Sequence, residues 1–225
     1  MKKALVILLI IYLFMQLYLP GVAEDRIKEG LMANIDQVEG LEVDARSFPA
    51  WEILFSQRVD HLKIEADWLV LEQLRLDSFR GEYKNVSYGD QVIYGKNTDL
   101  SVNISEDSLN KYVNDKYSSF NNFKVNLEPE NVHLAGHMDF LDARIKVQLS
   151  GKLTLADINE IAFEPGKFSV EEVDIPVSLL KKFVRDLGFT LDLNQYNIPL
   201  MVEDLRVSND QLILEGGTTA GRTVQ

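Results

Sequence analysis

The stretch that decides the fold is "IKVQLSGKLTLAD", residues 145–157, in which apolar and polar positions alternate strictly as far as Leu155. One side of this segment carries only aliphatic residues and Gly151, whereas the other carries lysine, glutamine, serine and threonine. A period of two residues is that of a β-strand, and one polar face is typical of an antiparallel sheet solvated on one side. The stretch therefore predicts a long antiparallel strand with one buried face.

Similar alternation recurs along much of the chain. It predicts strands at residues 41–46, 62–68, 72–89, 99–105, 123–140 and 201–217. We expect an irregularity near Ser78, turns at Pro129 and Gly136, and a closing hairpin that turns at residues 208–210.

Helical spacing of apolar residues predicts amphipathic helices between these strands. They are expected at residues 23–38 ending at Gly40, from Pro49 through Phe55, after an N-cap at Ser105, and from Pro176 to Gly188. The predicted class is α+β: one long curved antiparallel sheet whose apolar face is covered by the helices. Residues 24–217 would form this single domain, with a slot between sheet and helices, and residues 218–225 a frayed tail.

The N-terminal segment predicts export. Lys2 and Lys3 precede an apolar run from Ala4 to Leu19 that is interrupted only by Gln16 and is followed by Pro20-Gly21. We expect residues 1–23 to be a signal peptide cleaved after Ala23, or a short membrane anchor, since about 20 apolar residues span a bilayer. In either case the lysines favour placing the rest of the chain on the extracytoplasmic side.

The charge balance restricts the partners. Lys and Arg number 23 against 35 Asp and Glu, which gives a formal net charge of −12, and there is no cysteine. Such an acidic chain repels nucleic acid and anionic headgroups, so contact with lipid has to be apolar or confined to a local basic spot.

The sequence contains no recognisable catalytic or metal-binding motif. His133 and His137 are four residues apart, but the strand pattern and the missing glutamate favour surface histidines over a zinc site. The paired carboxylates at 171–172 and 203–204 would point to opposite faces of a strand. We therefore expect no enzyme, no cofactor and no metal, although a hydrolase site assembled from scattered residues is an alternative.

The order of these features resembles the LmeA-type phospholipid-binding family of bacterial envelope proteins. The matching residues are Phe48-Pro49 with Leu54 and Arg58, and the segments "LDL" at 191–193 and "IPL" at 198–200. The family pattern often has a glycine before the basic residue, where this chain has Gln57. The resemblance implies a fold similar to tubular lipid-binding domains, in which lipid tails lie between a wrapped sheet and a long helix. It also implies phospholipid binding or transfer in the cell envelope.

Within this resemblance, the stretch "SFPAWEILFSQRVDHLKI", residues 47–64, becomes the candidate lipid site. Its large apolar residues would line or close one end of the groove, with Trp51 at an apolar–aqueous boundary where the indole N–H stays hydrated. An alternative is that they only fill the core. The candidate lipid-contact residues are Phe48, Trp51, Leu54, Phe55, Arg58, Trp68 and Phe183.

Arg58 has two interpretations. Its guanidinium could bind a lipid phosphate bidentately, or it could pair with Asp60 or Glu52. We expect a non-enzymatic, extracytoplasmic protein that holds the acyl chains of a phospholipid in an apolar groove and is attached to the membrane by its N-terminal segment. The alternative is an envelope adaptor whose core is fully packed and binds no ligand.

Overall fold

A computed structural model describes residues 2–89, 92–116, 123–140, 143–157, 159–170, 173–175, 190–193 and 200–217 of the protein. The described residues form three helices and fifteen strands, and every strand pair is antiparallel. The helices are α1 (Lys2–Met32), α2 (Trp51–Ser56) and α3 (Glu106–Lys116). The predicted α+β class is confirmed.

Sheet I is six-stranded, with the order β14-β15-β7-β6-β3-β2. Its strands are β2 (Glu42–Arg46), β3 (Arg58–Ala66), β6 (Ser78–Gly89), β7 (Val92–Ser105), β14 (Asp204–Ser208) and β15 (Gln211–Gly217). The closing hairpin turns at Asn209 and Asp210, as the sequence predicts. α1 packs against β2 and β7 of this sheet.

Sheet II contains the stretch that decides the fold. Its order is β12-β11-β10-β9-β8, with β13 beside β11. The strands are β8 (Lys124–Glu128), β9 (Asn131–Phe140), β10 (Ala143–Asp157), β11 (Glu160–Val170), β12 (Val173–Ile175) and β13 (Thr190–Asp192). In β10, Val147, Leu149 and Leu153 are buried while Lys152 is exposed, which confirms the predicted alternation. Gly136 lies inside β9 opposite Val147, so the turn predicted at Gly136 is wrong.

Sheet III has three strands in the order β1-β4-β5: β1 (Gln37–Glu39), β4 (Trp68–Leu71) and β5 (Leu74–Leu76). The expectation of one long sheet is therefore wrong. The chain bends at Asp67, whose N–H donates to the Glu39 carbonyl, and the next strand pairs with β1 instead of continuing in sheet I. Pairing between distant segments decides this arrangement, and an alternating pattern does not encode it.

α1 is longer than predicted, because it continues through Pro20 and ends at Met32. A proline inside a helix costs about 3 kcal/mol. Against this cost, α1 buries one stripe at four-residue spacing: Leu19, Ala23, Ile27 and Leu31. This stripe crosses the predicted boundary between export segment and domain. The helix ends before Ile35, and Val38 lies in β1, so both were wrongly assigned to a helix.

The other predicted helices have different outcomes. α3 begins one residue after Ser105, whose Oγ accepts the N–H of Ser108 at 3.2 Å, so the predicted N-cap is confirmed. α2 begins at Trp51, so Pro49 precedes the helix and does not occupy its first turn. The predicted helix at residues 176–188 and the tail at 218–225 lie outside the described residues.

The core is one connected cluster of buried apolar side chains that includes residues of α1, α3 and all three sheets. It extends along the chain from Leu19 to Leu214. Consequently, the second half of α1 is part of the same packed interior as the two large sheets.

Candidate functional site

The exposed large apolar side chains are concentrated in two neighbouring segments. Apart from Met32 and Met201, those of the described residues lie on the first eighteen positions of α1 or within residues 48–55. In the second segment the exposed fractions are 85% for Phe55, 73% for Phe48, 53% for Leu54 and 46% for Trp51. Clustered exposed apolar surface marks an interaction site far more often than isolated residues do. We call Phe48, Trp51, Leu54 and Phe55 the apolar platform.

The backbone beneath the platform is tightly fixed. Ile53, on the opposite side of α2, is buried, and its carbonyl accepts the Tyr88 hydroxyl at 3.4 Å. Gln57 ends the helix in the left-handed conformation (φ 49°), and its carbonyl accepts the Tyr88 N–H at 3.0 Å. On the other side, the Asp60 carboxylate accepts the Phe48 N–H at 2.8 Å. The platform side chains are exposed because this framework holds them outward.

α1 contacts the platform through one aromatic residue and one amide. The Tyr12 ring meets the Trp51 ring edge-on, with centroids 6.1 Å apart and an interplanar angle of 66°. One turn further along, the Gln16 side-chain amide donates to the Ser47 carbonyl at 3.0 Å and accepts the Ala50 N–H at 3.0 Å. Gln16 therefore satisfies two backbone groups of the loop that leads into α2.

Polar groups lie beside the platform. Arg58 follows α2 at the start of β3, is exposed, and donates from Nε to Ser87 Oγ at 3.2 Å. The predicted alternative pairing of Arg58 with Asp60 or Glu52 is not formed, and Asp60 accepts instead from the loop at Ser47 and Phe48.

A surface cavity of about 540 Å³ adjoins the platform between α1 and β2, and its lining includes Gln16, Glu24, Arg46, Phe48 and His61. Three further cavities of about 440 to 590 Å³ are also lined by charged side chains. None of these four cavities is the dry slot lined by aliphatic and aromatic residues that an acyl chain would need. Of these four cavities, the first is the one with a platform residue, Phe48, in its lining.

The structure brings together five of the seven predicted site residues. Phe48, Trp51, Leu54 and Phe55 form the platform, and Arg58 adjoins it. Trp68 is elsewhere: it pairs with Glu39 in sheet III, beyond the C-terminal end of α1, and its indole N–H donates to the Glu39 carboxylate at 2.6 Å. Phe183 lies outside the described residues.

Sequence reasoning missed the contribution of α1 to the site. Tyr12 and Gln16 were included in an export segment, although Gln16 is the single polar residue of the apolar run. A polar residue inside such a run is costly in lipid unless it has a hydrogen-bond partner. The presence of Gln16 could therefore have indicated, from the sequence alone, that another part of the chain lies beside α1 at this position.

Two groups elsewhere bear on catalysis. His133 lies within 2.7 Å of Ser150 Oγ and 3.3 Å of a Glu128 oxygen, and no group of three or more metal-ligating side chains is found among the described residues. Burial raises the pKa of Tyr83, whose hydroxyl has no hydrogen-bond partner and lies inside the core. Tyr83 borders the cavity of about 590 Å³ that His61 and Asp44 also line, but its hydroxyl is buried in the core.

Comparison with protein-family models identifies the chain. The model described as LmeA-like phospholipid-binding matches residues 16–217, which is most of the chain. The chain belongs to the LmeA-like phospholipid-binding family. The predicted family is therefore confirmed. Comparisons with curated proteins and with solved structures find no match.

The region matched to the LmeA-like family begins at Gln16, the residue that connects α1 to the platform loop. It includes Leu19 and Ala23 of the buried stripe as well as the whole platform. The match thus covers Gln16 and the platform, whereas Tyr12 precedes the matched region.

Proposed function

We propose that this protein is an extracytoplasmic, membrane-attached member of the family that binds phospholipid by its acyl chains and carries it within the cell envelope. The observation that carries the proposal is the family match over residues 16–217. The match describes a phospholipid-binding family and not a catalytic one, which supports a non-enzymatic role.

The platform supplies an apolar contact of the required kind. Four large side chains of Phe48, Trp51, Leu54 and Phe55 are 46–85% exposed on one short segment. Fully burying one such side chain is favourable by roughly 1.5–3 kcal/mol, so an acyl chain lying across the platform gains several kcal/mol. Lipid would enter here from the bilayer and continue between sheet and helix, as in tubular lipid-binding domains.

Arg58 supplies a contact for the headgroup. It is exposed directly after α2 and forms no ion pair with a carboxylate of the described residues. Charge-assisted hydrogen bonds from a guanidinium to phosphate are short and often bidentate. Since the chain as a whole is acidic, Arg58 acts as a local basic spot and fixes the headgroup end of the lipid.

The orientation follows from the first residues. Lys2 and Lys3 precede the apolar half of α1, the one described helix that is long and apolar enough to cross a membrane. Lysines flanking a first span favour the cytoplasmic side. The sheets would then lie on the extracytoplasmic side of the membrane, with the platform facing its outer leaflet.

The proposal is tested by measuring the intact mass of the full-length protein after exchange into lipid-free detergent. We expect one phospholipid to remain bound per chain. A synthetic peptide of residues 2–32 carries the same membrane helix without the sheets, and it should lose its lipid in the same exchange. If the full chain and the peptide are equally free of lipid, the adaptor alternative replaces the binding proposal.

A further inference from the structure

We propose that the N-terminal segment is retained as an anchor and that α2 with the preceding loop enters the outer leaflet beside it. The membrane contact would then have two elements, a spanning segment at residues 4–18 and a shallow inserted platform at residues 48–55, that are at least 30 positions apart in sequence. Neither element depends on whether the protein holds a lipid inside its sheets.

The first step is the burial of the expected cleavage point. Ala23 is fully buried in the middle of α1, between Leu19 and Ile27 of the same buried stripe. Its neighbour Glu24 accepts the Ala45 N–H from β2 at 3.1 Å. Proteolysis occurs at exposed and flexible segments. Cleavage after Ala23 would remove Leu19 and Ala23 from the core, so the packed structure favours retention of the segment.

The second step is the depth of the platform along the anchor. Trp51 contacts α1 at Tyr12, but exposed apolar side chains continue beyond this level to Leu17 (84%) and Tyr18 (62%). Residues 4–18 span about 22 Å at 1.5 Å per residue, whereas a bilayer core is about 30 Å thick. The whole exposed segment is needed to cross the core, so the level of Tyr12 lies inside the outer leaflet. Trp51 lies at that level.

The third step concerns Gln16. A side-chain amide facing lipid without a partner costs several kcal/mol. Gln16 instead faces the loop before α2, and its donor and acceptor are both used by that loop. The loop thus shields the Gln16 amide from the lipid, and it can do so only by lying at the same depth.

The fourth step is the shape of α2. At 100° per residue, Trp51, Leu54 and Phe55 cover one arc opposite the buried Ile53, whereas Glu52 and Ser56 fall together on another side. Apolar residues on one face with polar groups to the side are typical of a helix lying in the membrane interface, buried by about 5–10 Å. The acidic charge of the chain excludes electrostatic adsorption as the main attraction, so insertion depends on these apolar side chains.

The experiment uses the two tryptophans of the full-length protein in phosphatidylcholine vesicles that contain lipids brominated at shallow acyl positions. A Trp68→Phe variant leaves Trp51 as the only indole, and a Trp51→Phe variant leaves Trp68. Trp68 is placed near residue 39, past the end of α1, and the 20 residues from Tyr12 to Met32 alone span about 30 Å. At an interfacial depth of about 5–10 Å, Trp51 should lose about half of its fluorescence, while Trp68 should be unchanged.

A second measurement tests retention of the anchor. It is the intact mass of the protein isolated from the membranes of the expressing cells. We expect the mass to include residues 2–23. A mass that begins at residue 24 would overturn retention of the anchor. Trp51 fluorescence as insensitive to bromine as that of Trp68 would overturn insertion, and it would assign the platform to a protein partner or a second copy of this chain.

Discussion

The Gln16 side chain and the Ala50 backbone N–H, 34 positions apart in sequence, form a hydrogen bond of 3.0 Å that joins the apolar helix to the platform. The same side chain donates to the Ser47 carbonyl. This joint lies one helical turn from the contact between Trp51 and Tyr12, and together the two contacts couple the position of α1 to that of the apolar platform.

Replacing Gln16 by Met should loosen the loop before α2. The substitution keeps the length of the side chain but leaves the Ala50 N–H and the Ser47 carbonyl without partners, which costs about 1–3 kcal/mol for each buried group. The measurement is hydrogen exchange at the Ala50 amide, which should become faster by at least tenfold. Gln37→Met, at an exposed position of β1, is the matched control and should leave Ala50 unchanged. Unchanged exchange in Gln16→Met would show that the joint is not structural.

Two substitutions near the expected cleavage point should have opposite effects on stability. A Cβ added at Gly21 meets no atom within 4 Å, so Gly21→Ala should stabilise α1 by about 1 kcal/mol through helix propensity. Ala23 is fully buried, so Ala23→Leu should destabilise the protein by about 1–3 kcal/mol through overpacking. Both are measured by denaturation of the full chain in detergent. If Ala23→Leu had no effect, residues 16–23 would not be part of the folded domain.

Replacing Arg58 by Gln should weaken binding of anionic phospholipid. The loss of a charge-assisted contact is worth about 1.5–3 kcal/mol, which corresponds to an affinity lower by about tenfold or more. Arg80→Gln removes the same charge from sheet I at a guanidinium that is paired with Glu65 at 2.6 Å, and it is the control. The readout is equilibrium binding of a fluorescent phosphatidylglycerol. An equal loss in both variants would indicate a general effect of charge and contradict a specific role for Arg58.

Stability at low pH should depend on Asp77. Burial alone would raise the pKa of this carboxyl, but hydrogen bonds from the backbone and side chain of Ser105, from Ser108 and from Arg75 outweigh it and lower the pKa below 3.8. Because the folded-state pKa is the lower one, the stabilisation is complete above about pH 4 and is lost as the pH falls through the folded-state value.

Asp77→Asn should therefore reduce the steepness with which stability falls below pH 4. The Ser105 N–H bonded to Asp77 at 2.8 Å belongs to the N-cap residue of α3, so the readout is helical circular dichroism during acid titration. Asp67→Asn, an exposed carboxyl at the bend between β3 and β4, serves as the control. Identical acid titrations of wild type and Asp77→Asn would contradict the assignment.

The sequence predicts local elements well where the pattern is long and regular. The alternation in β10, the cap at Ser105 and the turn at residues 209–210 follow from side-chain period and local hydrogen bonding, and the structure confirms them. The division into three sheets was not predicted. At Asp67 the chain leaves sheet I because β4 pairs with β1, and no local sequence pattern reveals that pairing.

The end of the first helix was also mispredicted, for a related reason. Pro20 and Gly21 are local stop signals, and the buried stripe through Leu19 and Ala23 overrides them by tertiary packing. The platform residues could be picked out as a group because their density in one short stretch is visible in the sequence, and their contact with lipid stays a prediction. Their proximity to Tyr12 and Gln16 is a property of the fold and could be found only there.

Cross-linking with a photoactivatable phospholipid tests the central claim, that the protein holds lipid and does not merely contact it, most directly. The full chain is placed in vesicles containing a phospholipid with a diazirine at the end of one acyl chain, irradiated, and digested. We predict labelled peptides from the sheets, β10 among them, in addition to peptides from α1 and α2. Labelling confined to residues 2–18 and 47–56 would contradict the account, since it would show a protein that touches the bilayer but carries no lipid within its fold.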